Sequence, residues 1–239
     1  MGGTRDETAR FLAGRHALVP WPRQEDIGAV AAYCQSFCLD NGAFSAWTSG
    51  KPIESWRPYY EWVKEWCRHP GFDFAIIPDV IDGTEADNDR LIVECARIMP
   101  HWVCMAPVWH MHESLDRLHQ LVNANKAKLV CIGSSGSIGQ PGPNNRKFLD
   151  RMAEAMTVAC DSEGRPICRL HGLRMLSSVV SLFPLRSADS TNVAQNYHRY
   201  AAPTQSQQRA LIADRIEMVN SAALWIPANE DQEYFQLTG

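Results

Sequence analysis

The chain lacks any long apolar run, and no stretch approaches the roughly 18 apolar residues that a membrane span needs. Residues 1–15 are polar and charged and do not contain the apolar core of a signal peptide. We therefore predict a cytoplasmic protein that has no membrane partner.

Cysteine occurs eight times, but no CxxC pair is present. Several of these cysteines lie in apolar runs, where thiols usually act as small buried apolar groups. A disulfide framework is not expected without an export signal. Cys160, Cys168 and His171 form one loose set that could hold part of a metal site, and structural thiols are the alternative that we favour. The phosphate-binding patterns GxGxxG and GxxxxGK[ST] are absent, and we predict no cofactor and no metal.

The chain also lacks a net excess of positive charge, and its net charge of −4 gives no indication of nucleic-acid binding. The stretch 146–215 differs from the rest, because it contains ten Lys and Arg against six Asp and Glu. A local excess of this kind can hold a phosphate backbone, and an ordinarily solvated surface is the alternative.

What the chain has is an alternation of short apolar runs with helical stretches. The runs are rich in β-branched and aromatic residues, as is typical of parallel strands covered on both faces. Six clear runs and a seventh shorter one occur at 17–20, 36–40, 72–79, 102–107, 128–133, 167–171 and 186–189. The predicted helices span 56–67, 87–98, 115–122, 148–159 and 205–224. In the last helix, the residues expected to face the core are Leu211, Ile212, Ile216, Met218 and Val219.

This alternation predicts an α/β fold and favours a closed barrel over an open sheet. We expect one compact (β/α)8 TIM-type barrel over residues 1–239, although an eighth strand is not placed. Residues 1–14 are expected to be a flexible segment and 226–239 a C-terminal tail.

Three aspartates follow predicted strands directly: Asp40, Asp79 and Asp189. A single aspartate after a strand is usually a helix N-cap or a turn residue. In a barrel, however, the catalytic groups lie at the carboxyl ends of the strands, so all three would meet at one mouth. Two carboxylates around a cavity can serve as nucleophile and proton shuttle in glycoside chemistry that retains configuration.

Two glycine-containing turns, at 133–136 and 171–172, follow predicted strands at the same edge. Glycine permits close approach of the backbone to a flat ligand. A tight turn without a ligand is the alternative.

Taken in chain order, these motifs resemble those of the tRNA-guanine transglycosylase superfamily from Ser36 to Asn196. The counterparts in that family are its DSGGF/Y motif, its base-reading aspartate, its glycine-rich base-binding turn, its LMGVG segment and its nucleophilic aspartate. The matching segments here are LDNGAF at 39–44, IPD at 77–79, CIGSSG at 131–136, LHGL at 170–173 and RSADST at 186–191.

The chain departs from the tRNA enzymes in two respects. It is much shorter, and it lacks the CxCxxC of their C-terminal zinc subdomain. Both features resemble the compact DpdA-type branch of phages and bacterial DNA-modification clusters. Those enzymes exchange guanine in DNA for a 7-deazaguanine such as preQ0.

The resemblance implies that Asp189 attacks C1′, that Asp40 is the general acid/base and that Asp79 accepts hydrogen bonds from the base. Phe44 and His171 would sandwich the flat base. The full set of residues for which base contacts are implied is Phe44, Asp79, Trp109, His110, Gly133, Ser134, Ser135, His171 and Gly172.

The expected partners are DNA and a free 7-deazaguanine base. The target nucleotide would have to be flipped or single-stranded, because a base inside a duplex cannot reach the mouth. The candidates for holding the nucleic-acid backbone are Arg165, Arg169, Arg174, Arg186 and Arg199.

Three alternatives remain at this point. The chain could be a tRNA-guanine transglycosylase without its zinc subdomain. It could be a nucleoside hydrolase, in which water replaces the incoming base. It could also be a nucleic-acid-binding barrel without turnover. The oligomeric state is not predicted.

Overall fold

The computed structural model describes residues 11–124, 128–134, 138–176 and 178–227. Ser135 and most of the predicted terminal segments, 1–14 and 226–239, lie outside the described residues. The strands form two parallel four-stranded sheets, in the orders β1-β2-β3-β4 and β5-β6-β7-β8. Their bounds are His16–Pro20 (β1), Ser36–Asp40 (β2), Phe72–Ile76 (β3), Met105–Ala106 (β4), Val108–His110 (β5), Leu129–Gly133 (β6), Arg169–Gly172 (β7) and Ser187–Ala188 (β8).

Helices connect most of the strands, which confirms the predicted α/β class. The α-helices span Ile27–Tyr33 (α1), Ala43–Thr48 (α2), Arg57–Trp66 (α3), Glu85–Ile98 (α4), Leu115–His119 (α5), Arg146–Ala159 (α6), Asn192–Asn196 (α7) and Gln205–Glu217 (α8). A wider π-helical turn, Gln120–Ala124, extends α5, and short 3-10 helices occur at Trp21–Asp26, Ser178–Leu182 and Tyr197–Arg199. Within the described ranges, no helix combines the length and the apolar character needed to cross a bilayer.

The start of α4 shows how local sequence sets a helix boundary. The Thr84 hydroxyl accepts the Asp87 backbone N–H at 3.2 Å, and the Asp87 carboxylate accepts the Thr84 backbone N–H at 2.9 Å. This reciprocal cap satisfies backbone donors that a helix leaves free at its N-terminus. It fixes the direction of α4 where the chain leaves β3.

The two sheets meet in one short segment, because only Pro107 separates β4 from β5. Proline has no N–H and interrupts the ladder, but its carbonyl still accepts the Cys131 N–H at 2.9 Å. On the other side, the Ala106 carbonyl accepts the Ile77 N–H at 2.8 Å. The segment therefore connects β3 of one sheet with β6 of the other.

The fourth strand was predicted at 102–107, and its predicted bounds were wrong. The strand pairing begins at Met105 and, after Pro107, continues to His110. Trp102 lies outside it and is 45% exposed. The predicted strand began three residues too early because it was placed by apolar residues alone. In sequence, an exposed tryptophan such as Trp102 cannot be distinguished from a buried one.

An inner apolar cluster draws on strands of both sheets. Its buried members are Phe74, Ile76, Ala106, Val108, Leu129 and Cys131, and Leu18, Cys38, Cys104 and Leu173 pack against them. Side chains alternate across a strand, so the neighbouring positions Phe37, Leu39 and Ala75 face the helices instead.

The predicted end of the last helix was wrong. The helix α8 ends at Glu217, and Leu211, Met218 and Val219 are 43%, 80% and 40% exposed. The prediction is confirmed for Ile212, which is buried, and Ile216 is partly buried. Ile212 and Ala213 are the buried residues of α8, so the helix contacts the core over about one turn. Beyond Glu217 the chain turns, and the residues that follow no longer lie on the face that the helical spacing assigned to them.

Candidate active site

Two of the three aspartates lie at the edge of one sheet and the third at the edge of the other. Asp40 is the last residue of β2, Asp79 follows β3, and Asp189 comes directly after β8. Burial is the main cause that raises the pKa of Asp40 to about 7, and the charges of Asp189 and Asp79 contribute to the same rise. Asp40 therefore lies close enough to both Asp79 and Asp189 for their charges to affect its protonation.

The surroundings of Asp40 suit a group that exchanges protons. The backbone N–H groups of Gly42 and Asn41 donate to its carboxylate and only partly offset the rise in its pKa. A carboxyl group with a pKa of about 7 is both protonated and ionised in comparable amounts at neutral pH. It can therefore act as acid in one step and as base in the next.

Asp79 is 8% exposed, and both of its oxygens have buried neighbours. Asn41 Nδ2 donates to Asp79 Oδ1 at 2.8 Å and to the Ile77 carbonyl at 2.9 Å. His110 Nε2 lies 2.9 Å from Asp79 Oδ2. The carboxylate is thus held in one orientation at the end of β3. No role was predicted for Asn41, although its position directly after a strand-end aspartate could have indicated one.

The turn that carries Asp40 and Asn41 requires glycine at position 42. Gly42 has φ +78°, and a Cβ there would lie 2.5 Å from Pro22 Cδ. The Ala43 N–H donates to Asn41 Oδ1 at 2.7 Å, which orients the amide so that its Nδ2 faces Asp79. Local backbone geometry therefore positions two of the site's side chains.

Asp189 is held by the loop that follows β7. Its Oδ1 accepts the Arg174 backbone N–H at 2.8 Å, and His171 Nε2 lies 3.5 Å from the same oxygen. The Asp189 N–H donates to the Gly172 carbonyl at 3.2 Å, and its carbonyl accepts the Leu176 N–H at 3.0 Å. Among the described residues, the side-chain contacts of Asp189 are to Oδ1.

His171 lies deeper than the resemblance implied. It is 2% exposed, its Nδ1 is 2.8 Å from Ser187 Oγ, and its ring meets the edge of Phe74 at 5.1 Å between centroids. A ring this deeply buried offers no face to a base. In the structure, His171 lies between Phe74 and the Asp189 carboxylate.

Trp109 and His110 point to opposite sides of β5. Trp109 is fully buried in an apolar cluster that β5, β6 and β7 form with α5 and α6, called the helix-side core below. Its Nε1 donates to the Ser114 carbonyl at 2.9 Å. His110, by contrast, faces Asp79. Because neighbouring residues of a strand alternate in direction, only His110 of this pair reaches the carboxylates.

A buried polar network lies behind Asp79 and His110. Glu113 is 3% exposed and accepts hydrogen bonds from the His110 N–H at 2.8 Å, Arg117 Nη1 at 2.9 Å and Asn88 Nδ2 at 2.9 Å. Asn88 Oδ1 in turn accepts the Val80 N–H at 2.7 Å. The network fixes the backbone beside both residues, and the sequence analysis missed it because its members are spread over several elements.

The glycine-containing turns are closely packed. A Cβ at Gly133 would lie 3.3 Å from His110 Nδ1, and one at Gly172 would lie 2.8 Å from Met175 Sδ. Ser134 is 1% exposed, and its hydroxyl donates to the Gly139 carbonyl at 2.5 Å. These contacts explain the small residues without a ligand, and they leave the Ser134 carbonyl to accept from Arg174 Nη2.

Of the five predicted backbone-binding arginines, two lie at the amino ends of their strands. Arg169 is the first residue of β7, and its Nη1 is 3.0 Å from Oδ1 of Asp73 near the start of β3. Arg186 is exposed and directly precedes β8. Both positions are at the ends of the strands opposite the three carboxylates.

The other three arginines differ in their surroundings. Arg165 is exposed and forms an ion pair with Glu163. Arg199 is exposed in the 3-10 helix near the C-terminus. Arg174 alone contacts the carboxylate site, through Asp189.

The loose cysteine and histidine set does not come together as a metal site. In the part of the chain that the structure describes, no three His, Cys, Asp or Glu side chains are placed to hold a metal ion. Cys160 and Cys168 belong to the helix-side core, whereas His171 faces Ser187 and Phe74.

In comparisons with known proteins, no protein-family model and no curated protein matched the chain. A function for the chain is therefore inferred from the residues of the site and from the order of its motifs.

Proposed function

We propose that the chain is a base-exchange transglycosylase that replaces guanine in DNA with a 7-deazaguanine such as preQ0. The observation that carries this proposal is that the charges of Asp79 and Asp189 both act on Asp40, while each of the three strand-end carboxylates has different surroundings. Asp40 combines burial with two like charges, which raise its pKa to about 7. Asp189 accepts a backbone N–H, and Asp79 lies between Asn41 and His110. Separate environments for neighbouring carboxylates indicate separate catalytic roles.

We further propose that the two sheets close into a TIM-type barrel. Phe74 of β3 meets His171 of β7, and Asp73 of β3 pairs with Arg169 of β7. In a flat sheet these strands would be about 14 Å apart, which is too far for either contact. Contacts across a barrel interior bring such strands together. Since β4 and β5 occupy one position, the described strands fill seven positions of the barrel.

In the first half-reaction, Asp189 Oδ2 attacks C1′ of a flipped guanosine and the C1′–N9 bond breaks. The electron pair of that bond goes to N9, and protonated Asp40 supplies the proton that neutralises the departing guanine. The product is a covalent ester between Asp189 and C1′ of the DNA.

In the second half-reaction, ionised Asp40 removes a proton from the incoming 7-deazaguanine. The ring nitrogen of that base attacks C1′ and displaces Asp189, which regains its charge. Two inversions at one carbon retain the original configuration. A pKa of about 7 allows Asp40 to fill both roles in one cycle.

Asp79 supports recognition of the base in this scheme. A carboxylate has roughly four lone-pair sites, so the contacts from Asn41 and His110 leave capacity to accept the N–H edge of guanine. The buried network behind Asp79 keeps this acceptor in place.

The experiment is to trap the covalent intermediate. The protein is incubated with a single-stranded guanine-containing oligonucleotide, and a DNA adduct is sought on a denaturing gel and mapped by mass spectrometry. We expect an adduct on Asp189 that preQ0 releases. Asp189→Ala should abolish the adduct and retain DNA binding, while the control Asp150→Asn, at an exposed ion pair, should behave as wild type.

Other outcomes separate the alternatives. Base exchange into tRNA but not into DNA would overturn the DNA half of the proposal. Release of free guanine without an incoming base would indicate a hydrolase. DNA binding with neither an adduct nor exchange, unchanged in Asp189→Ala, would indicate a binding protein without turnover.

A further inference from the structure

Arg174 has an unusual backbone conformation. Its φ is 60°, and within the described ranges it is the sole non-glycine residue with positive φ. A residue with a Cβ rarely adopts this left-handed conformation, and such outliers persist where the surrounding structure enforces them. Here the conformation directs the Arg174 N–H to Asp189 Oδ1 at 2.8 Å.

The side chain of Arg174 reaches the other wall of the site. Its Nη2 donates to the Ser134 carbonyl, and its Cζ lies 4.0 Å from the centroid of the Phe44 ring. Phe44 is only partly buried and stands on α2, directly beyond the turn that carries Asp40. One residue thus touches the nucleophile loop, the glycine-containing turn and the aromatic ring assigned to the base.

The guanidinium of Arg174 is flat and covers one face of the Phe44 ring, the kind of surface on which a nucleobase stacks. A nucleobase that stacks on an aromatic ring lies roughly 3.5 Å above it, about as high as a stacked guanidinium. The base and Arg174 cannot share this face of Phe44. A base that stacks on this face therefore displaces the guanidinium. The freed cation stays close to Asp189, because the Arg174 backbone N–H donates to Asp189 Oδ1.

We propose that Arg174 has two alternative ligands: the Phe44 ring in the free protein, and a phosphate of the target nucleotide once a base occupies that ring. A guanidinium suits both, because it stacks on aromatic rings and binds phosphate through paired hydrogen bonds. This inference rests on the proposed function. It adds that base entry and backbone binding are linked through one side chain.

The test depends on two opposite changes that we expect when the Arg174 side chain is removed: a higher affinity for free guanine and a lower affinity for DNA. In Arg174→Ala, free guanine no longer competes with a guanidinium, so its affinity by calorimetry should rise about two- to fivefold. The affinity for a fluorescein-labelled single-stranded DNA should fall. The slope of log K against log salt should become shallower by about 0.7, as expected for one lost phosphate contact.

Two further variants separate side chain from backbone. Arg174→Gly keeps the N–H and suits φ 60°, so it should show the same opposite changes with no loss of thermal stability. Arg174→Lys keeps the charge but stacks less well, so guanine binding should rise while DNA binding is largely kept.

Loss of affinity for both ligands in the alanine and glycine variants, or no change in either, would overturn the role of Arg174 and leave the proposed function standing. If the wild-type protein binds neither guanine nor DNA, the proposed function fails and this inference fails with it.

Discussion

At the scale of single residues, the carboxylates around Asp40 make the stability of the fold depend on pH. Burial, with the charges of Asp189 and Asp79, raises its pKa to about 7, whereas an unfolded aspartate titrates near pH 4. Between these values the folded protein binds a proton more tightly than the unfolded chain does. The free energy of unfolding therefore decreases as pH rises through this window.

Asp40→Asn should remove this pH-dependent loss of stability. We expect the variant to gain on the order of 1–4 kcal/mol over wild type at pH 8, with the gain shrinking toward pH 4, because asparagine does not titrate. Urea denaturation across this range measures the difference. Base exchange in the same variant should fall by about two to four orders of magnitude, since the proton donor is lost. A stability difference that does not vary with pH would contradict the assignment.

The residues of the site differ in how far sequence could reveal them. Asp40, Asp79 and Asp189 were predictable because each directly follows an apolar run, and the carboxyl ends of parallel strands share one edge. The partners were not predictable in the same way. Arg174 and Ser134 are 40 residues apart in sequence, and only the packing of β6 against β7 brings them into contact.

At the scale of secondary structure elements, the turn from β2 to α2 sets the position of Asp40. Its glycine has both a left-handed φ of +78° and a close neighbour, since a Cβ would lie 2.5 Å from Pro22 Cδ. Gly50, just beyond α2, has a φ of +65° but nothing within 4 Å of a Cβ. The two glycines therefore separate the effect of backbone conformation from that of steric contact.

Gly50→Ala should destabilise the protein by about 1 kcal/mol, the ordinary penalty for alanine in a left-handed conformation. Gly42→Ala should cost roughly 1–3 kcal/mol more, because the turn must also move away from Pro22. It should also lower base exchange, whereas Gly50→Ala leaves exchange unchanged. Denaturation and exchange assays on the two purified variants make the comparison. Equal effects would mean that the contact with Pro22 has no consequence.

The elements also show where sequence patterns lose information. The helices with clear caps and apolar stripes, such as α4, were predicted to within a few residues. The fourth strand was misplaced because Trp102 continues an apolar run into an exposed loop. The last helix was drawn too long because apolar spacing continued past Glu217, where the chain turns away. In both cases the boundary of the element depends on which side chains are buried, and burial depends on the rest of the fold.

At the scale of the whole molecule, charge limits how the protein can hold nucleic acid. The stretch 146–215 has an excess of basic residues in sequence, but the structure brings carboxylates to four of its arginines. The pairs are Arg146 with Asp150, Arg151 with Glu154, Arg165 with Glu163, and Arg169 with Asp73. Four of the ten basic residues of the stretch are thus held in ion pairs, although only Asp73 comes from outside the stretch. The net charge of −4 over the chain opposes any long-range attraction of DNA.

We therefore expect DNA binding to involve few phosphates. For single-stranded DNA the slope of log K against log salt should lie between about −0.7 and −2, which corresponds to one to three phosphate contacts. Fluorescence anisotropy over a series of salt concentrations gives this slope, and Arg174→Ala should account for a large share of it. Arg165→Ala is the matched control, because Arg165 is paired with Glu163 and its loss should leave the slope unchanged. A slope steeper than about −4 would instead require a broad cationic surface that the described arginines do not form. A shallow slope would leave most of the affinity to contacts with the base at Asp40, Asp79 and Asp189, which are also the contacts that can distinguish one base from another.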